Sequence, residues 1–207
     1  MIKKIILATV AAAIAITALG GCDLKGKNRN MAVVVPTELS KPYDQIIKIV
    51  GPDKDVNLFN LKLPAKTESM KVWVEYYDHG KVRASMPSME LDFDSKWEVI
   101  ILMIDNAENG KLTVSAANKN FSEQSLLSAD LKKPSGIDES YLRGQVTLSA
   151  ETKAAFGSEI VLSCIVYDNR KGMALYDTEY YTENPEVIKS HGFAILVKCA
   201  VYGAAVE

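Results

Sequence analysis

From Tyr43 onward apolar and polar positions alternate with a period of two, the signature of strands buried on one face. Met70, Val72, Val74 and Tyr76 fall on one side, and Lys71, Trp73, Glu75 and Tyr77 on the other. Asp78-His79-Gly80-Lys81 follows as a tight hairpin turn, because glycine supplies the positive φ such turns require. The returning strand puts Val82, Ala84 and Met86 on one face, and Met89, Leu91 and Phe93 extend that apolar set past Pro87, opposite Glu90, Asp92 and Asp94. Trp97 to Ile104 is apolar on both faces, as a central, doubly covered strand is. Asn109-Gly110 turns the chain back into Leu112, Val114 and Ala116, a strong hairpin signal. Val146, Leu148 and Ala150 alternate with Gln145, Thr147 and Ser149, and Ile160 to Tyr167 and Phe193 to Tyr202 are the last two long strands.

Helical patterning is scarce. Ser122 to Leu131 and Asn184 to Lys189 each fit a short helix, the second with Asn184 as cap and Pro185 in its first position. Many short strands with turn chemistry between them predict an all-β fold, an antiparallel β-sandwich of immunoglobulin-like layout with one or two short helices. A barrel is the alternative. The Cys–Trp–Cys spacing of true immunoglobulin domains is missing.

The first residues follow a different pattern. Lys3 and Lys4 precede the apolar run Ile5 to Ala18, interrupted by Thr9 and Thr17. That run has the length of a signal-peptide core and falls short of the roughly 20 residues a spanning helix needs. Leu19-Gly20-Gly21-Cys22 comes directly after it. The tetrad resembles the lipobox of bacterial lipoproteins, with a branched residue three before the cysteine and small residues that thread easily through a peptidase. The resemblance implies cleavage after Gly21, a diacylglycerol on the Cys22 thiol and an N-acyl chain on the new amine. Two or three acyl chains anchor stably where one anchors marginally. Asp23, next in line, goes with retention at the cytoplasmic membrane in Gram-negative cells, and in Gram-positive cells no other membrane competes. Either way the domain is expected on the outer face of the cytoplasmic membrane.

The expected organisation is a signal peptide over 1–21, lipidated Cys22 with a flexible tether over 22–42, and one sandwich domain over 43–207. The tether is basic at first (Lys25, Lys27, Arg29) and then carries Met31-Ala-Val-Val-Val35, one possible docking strand. The 24 basic residues less Lys3 and Lys4, set against 26 acidic ones, leave a net charge of −4 after cleavage. A mildly acidic chain without a basic stripe speaks against nucleic acid as a partner.

Catalytic motifs are missing from the sequence: no Gly-x-Ser-x-Gly, no His-Glu-x-x-His and no Cys-x-x-Cys occurs. No catalytic residue, metal site or cofactor is therefore assigned. His79 reads as a solvated turn residue and His191 as loop punctuation before Gly192. Asp53, Asp55 and Asn57 open with calcium-loop spacing, but Leu58 stands in the glycine position and Pro64 in that of the bidentate glutamate. Glu90, Asp92 and Asp94 read as a solvated strand face.

Aromatic residues on polar faces carry more information. Trp73 and Tyr77 share a face with Lys71 and Glu75, and Tyr180 and Tyr181 lie in the long connection between Gly172 and Gly192. These four form a candidate binding face for a sugar ring or a peptide edge. The competing reading is that the connection folds over Trp73 and Tyr77 and covers them. In layout (lipobox, polar tether, alternating strands, an acidic-aromatic loop over 177–186 and a final apolar strand) the chain loosely resembles small Gram-positive lipoproteins with β-sandwich ectodomains, a likeness that carries no functional residue across. The expected function is non-catalytic binding at the cell envelope, with a protein or glycan partner. The alternatives are an envelope hydrolase using Asp92, Asp94 and Glu98, or a structural subunit of a membrane complex. Cys164 and Cys199 both fall in phase with inward residues of their strands, and they are expected as buried free thiols, with a disulfide as the alternative.

Overall fold

A computed structural model describes residues 31–38, 54–83, 87–92, 98–106, 111–118, 124–130, 141–169 and 173–203. Among these residues twelve strands form two antiparallel sheets of six. The first sheet runs β10 (Thr152–Ala155), β1 (Met31–Thr37), β2 (Lys54–Lys62), β6 (Glu98–Asn106), β7 (Lys111–Asn118), β8 (Gln124–Asp130). The second runs β4 (Lys81–Val82), β3 (Thr67–Asp78), β12 (Phe193–Gly203), β11 (Glu159–Asp168), β9 (Leu142–Thr147), with β5 (Ser88–Asp92) also paired to β3. The inner faces close on one continuous core, to which Val34, Phe59, Leu61, Ile101 and Leu112 contribute from one sheet and Met70, Val72, Ile165, Phe193 and Ile195 from the other. The fold is an all-β antiparallel sandwich, and it holds more strands than the immunoglobulin constant layout.

The period-two pattern resolves as expected on β3. Met70, Val72 and Val74 face the core while Trp73 and Tyr77 face away from it. Tyr77 pairs with Val82 and Asp78 with Lys81. This leaves His79 (φ 47) and Gly80 (φ 77) as a two-residue turn with both central φ values positive. The Asn109-Gly110 turn lies outside the described residues.

Three expectations change. Residues 124–130 are a strand, β8, paired to β7 over seven positions. Leu127 and Ala129 point to the core, and the backbone groups along the edge of β7 outweigh a weak helical preference. The short helix expected over 184–189 is present as a 3-10 helix, Pro185–Ser190, with Asn184 at its N-cap and Pro185 in its first turn, and what the expectation lacked is the α-helix before it, α1 (Thr178–Glu183). α1 is capped by Asp177, whose Oδ1 accepts from the Tyr180 amide at 2.7 Å. The docking strand is a full member of the domain: β1 lies between β10 and β2 and buries Ala32 and Val34. The sandwich therefore includes residues ahead of Tyr43, which the expected boundary assigned to the tether.

The two cysteines lie on adjacent strands, β11 and β12, but not on one face. The β11–β12 register shifts between Val161 and Ser163, leaving Leu162 as the extra residue of a β-bulge. A one-residue shift reverses every side chain beyond it. Ile160 and Leu162 face the sandwich core, Cys164 and Val166 face the opposite side, and Cys199 remains with the core. Both thiols are free and buried, and burial pushes each up to about 12. With the sheet between them no bridge can close. Thiol titration of the native protein is expected to find neither cysteine, and denaturation without reductant is expected to release both; if no thiol appears without reductant, this placement is wrong.

Candidate functional site

The outer face of the second sheet is where the candidate aromatics meet. The connection over 173–192 folds onto it, and α1 and the 3-10 helix bring Tyr181 and Ile188 against Tyr77, Val161, Cys164, Val166, Ala194 and Leu196 as a second apolar cluster. β9 makes room at Gly144, where an added Cβ would come within 2.5 Å of the Met173 terminal methyl and 2.7 Å of a Leu175 methyl. Of the four expected binding residues, Trp73, Tyr77 and Tyr181 are buried, and Tyr180 alone is 39 % exposed. The connection covers Tyr77 through Tyr181 and Ile188, and with Trp73 also buried the four do not form an open face.

Trp73 and Tyr77 instead serve a partly buried carboxylate. Trp73 Nε1 donates to Glu75 Oε1 at 2.9 Å and the Tyr77 hydroxyl donates to Oε2 at 2.8 Å. Lys198, opposite Trp73 in the register and 6 % exposed, sets Nζ 2.7 Å from Glu75 Oε2 and 2.9 Å from Glu159 Oε2. Burial drives Glu75 upward, but the hydrogen bonds from Lys198, Trp73 and Tyr77 outweigh it and hold the carboxyl below its usual range. Burial likewise drives Lys198 down, and its two glutamates more than compensate, so the ammonium is held above its usual value. The Tyr77 hydroxyl is pushed well up, first by burial and then by Glu75. At neutral pH Glu75 is therefore ionised, Lys198 charged and Tyr77 protonated, and the group joins β3, β12 and β11.

A second buried group lies toward the hairpin end. His191, read from sequence as loop punctuation, is 4 % exposed. Its Nδ1 sits 3.3 Å from Asp168 Oδ2 and its Nε2 3.4 Å from the Tyr181 hydroxyl. That hydroxyl also accepts from the Tyr176 amide at 3.4 Å. A carboxylate–imidazole–hydroxyl chain has the composition of a proton relay. Its hydroxyl, however, belongs to a 1 % exposed tyrosine that burial raises to about 12, leaving it protonated and inaccessible to a substrate. The group fastens the connection to the end of β11, and the His79 amide, donating to the Gly192 carbonyl at 2.8 Å, adds the β3–β4 turn. Nothing in the local sequence pattern marks His191 as buried, because its partners come from β11 and α1.

The remaining candidates are dispersed. Asp55 and Asn57 stand on β2, an extended strand that cannot wrap a cation. Glu90 and Asp92 are exposed on β5, as a solvated face requires. Asp53, Asp94 and the Glu98 side chain lie outside the described residues, as do Gly21 and Cys22. Among the described residues no three His, Cys, Asp or Glu groups are placed to hold a metal ion. A shallow cleft of about 290 Å³ opens beside His79, Asp168, Lys189 and His191. A larger one of about 520 Å³, between Pro36, Thr37, Asn57, Phe59 and Ser149, has Glu38 as the one ionisable residue among its described lining.

What stays open is a crest on the outside of the connection. Tyr176 and Tyr180 stack with ring centroids 4.5 Å apart, and each is 39 % exposed. Leu175 beside them is 41 % exposed, and Leu142, two residues before Gly144 and so on the same face of β9, is 56 % exposed. Asp177, Glu179, Glu183 and Glu186 follow along the segment, giving an apolar crest with an acidic flank.

Comparison with known proteins gives one result. A model of the YgaN domain matches residues 33–200. The chain belongs to the YgaN domain family. The match begins inside β1 and ends inside β12, so the YgaN domain spans both sheets and counts β1 as its own. No curated protein and no solved structure matches the chain.

Proposed function

We propose that this YgaN domain is a non-catalytic interaction module of a lipoprotein, held by acyl chains on Cys22 at the outer face of the cytoplasmic membrane. The observation that carries the contact reading is the exposed crest of Leu142, Leu175, Tyr176 and Tyr180. Neighbouring apolar side chains left in water mark an interaction surface, and tyrosines are enriched at such surfaces. Leucines beside the tyrosines favour a protein partner over a sugar ring. The anchor is supported by Leu19-Gly20-Gly21-Cys22 directly behind an apolar run. Among the described residues no helix is long and apolar enough to cross a membrane.

Two experiments separate these parts. Cys22→Ser is expected to block lipidation and the usual cleavage, leaving precursor or a soluble secreted form. A variant that stays on carbonate-washed membranes at mature size overturns the anchor. A photo-crosslinking residue at position 180 is expected to yield a discrete adduct in cells, absent when the crosslinker sits at position 151 and lost with Tyr176→Ala. Equal adducts at both positions, or none at 180, overturn the crest.

A further inference from the structure

β9 ends the second sheet, and among the described residues it pairs with β11 alone. Its backbone groups divide between the two sides. The Leu148 amide donates to the Leu162 carbonyl at 2.9 Å, and the Val146 carbonyl accepts from Ser163 Oγ at 3.2 Å. Backbone N–H and C=O groups alternate sides along a strand. Leu142, Gly144 and Val146 therefore turn theirs to β11, while Arg143, Gln145 and Thr147 turn theirs to the outer edge. The register is unbroken from Leu142 to Thr147, so no bulge twists that edge away. The strand holds neither proline nor lysine, the usual guards of an edge. Its one charge, Arg143, donates along the strand to Gln145 Oε1 at 2.7 Å.

The apolar crest stands over this edge. Leu142, Gly144 and Val146 share the outer face, and Leu175 lies above Gly144, where an added Cβ would meet its two methyls at 2.7 and 3.0 Å. A strand laid about 4.8 Å outside β9 sets alternate side chains beside Leu142 and Leu175 while its backbone meets Arg143, Gln145 and Thr147. Charge then selects the partner. Residues 173–190 carry Asp177, Glu179, Glu183 and Glu186 against Lys189. A second copy brings the same acidic flank to the contact, and a basic segment brings the opposite one.

We propose that the partner of the crest binds by strand addition: an extended segment of another protein, apolar at alternate positions and flanked by basic residues, joins the outer edge of β9. Main-chain hydrogen bonds to Arg143, Gln145 and Thr147 hold it, and its alternate apolar side chains pack on Leu142 and Leu175. The inference rests on the crest being a contact surface and adds the backbone that receives the partner.

The test titrates the full chain into a labelled peptide, Lys-Val-Thr-Val-Thr-Val-Lys, in low salt, followed by fluorescence anisotropy. Wild type is expected to bind it about tenfold more tightly than Gln145→Pro, a loss on the scale of one or two hydrogen bonds. That substitution removes an edge N–H and keeps the β9–β11 ladder, and circular dichroism confirms that the variant folds. Wild type supplies a second contrast by itself. With the valines on the crest side, the threonine nitrogens face β9, so methylating them is expected to weaken binding about tenfold, and methylating the valine nitrogens is expected to change it less than about twofold. No binding by wild type, undiminished binding by Gln145→Pro, or equal effects of the two methylations overturns the proposal. Self-association in ultracentrifugation that Gln145→Pro abolishes gives the edge to a second copy and overturns the partner. An adduct from position 180 that survives Gln145→Pro removes strand addition and leaves the crest. Peptide binding without any adduct from position 180 supports strand addition and removes the crest as the contact made in cells.

Discussion

A fragment beginning at Tyr43 is expected to lose cooperative unfolding, while one beginning at Met31 keeps it. β1 is hydrogen-bonded on both sides, over four register pairs to β10 and five to β2. Val34 and Ala32 are 0 % and 1 % exposed. Burying one valine is worth about 1.5–3 kcal/mol, and each ladder hydrogen bond adds about 0.5–1.5 kcal/mol net. Removing β1 also strands β10, which among the described residues pairs with nothing else in its sheet. Together these losses approach the roughly 5–15 kcal/mol that a whole domain has. Guanidinium denaturation followed through the buried Trp73 is expected to give a sigmoid for 31–207 and a shallow, featureless curve for 43–207. Equal midpoints for the two would show that β1 is dispensable.

The second large effect is expected from Lys198→Met, which should destabilise the fold by about 3 kcal/mol. Glu159 can turn to water, since its side chain is 53 % exposed. Glu75 cannot, with its side chain 15 % exposed, and it is left as a largely buried carboxylate without its cation. Adding Glu75→Gln to Lys198→Met is expected to recover most of the loss, because the variant pair no longer buries an uncompensated charge. A double-mutant cycle by chemical denaturation measures this directly. The pH dependence follows from the shifts. The folded Glu75 carboxyl lies below its ordinary value of 4.5, so its contribution is complete above that pH and is lost as pH falls through the lower folded value. Lys198 lies above its ordinary 10.5, so its contribution persists to that pH and is lost only as pH rises through the higher folded value. Glu75→Gln is expected to flatten the acid limb of the stability curve; an unchanged limb would place the titration elsewhere.

Most of the sheet was legible in the chain, because half-burial writes a period of two directly into it. Met70, Val72 and Val74 show that, and turn chemistry marks the His79-Gly80 hairpin as directly. What escaped depends on partners distant in sequence. The extra residue at Leu162 reverses the phase of Cys164, yet β11 is apolar on both sides and alternation there carries no phase to read. β8 passed for a helix because Leu126 and Leu127 break its alternation, and the edge of β7 decides the matter. Trp73 and Tyr77 were correctly placed on the outer face. Their role as donors to Glu75 became visible only with Lys198 opposite. His191 was invisible as a buried group for the same reason, since Asp168 and Tyr181 meet it only in three dimensions.

The position of Met31 also gives the sandwich a direction. β3 starts beside the Met31 end at Thr67 and runs twelve residues to Asp78, about 35–40 Å at strand rise. The His79-Gly80 turn and the cleft beside His191 thus crown the pole opposite the chain's entry. Any support that grips the residues ahead of Met31 works like the base of a mast: it holds the β2–β3 turn and the β10–β11 turn near itself and lifts the hairpin pole to the top of the molecule. The tyrosine crest, carried on the flank between the two poles, then faces sideways, toward neighbours standing on the same surface.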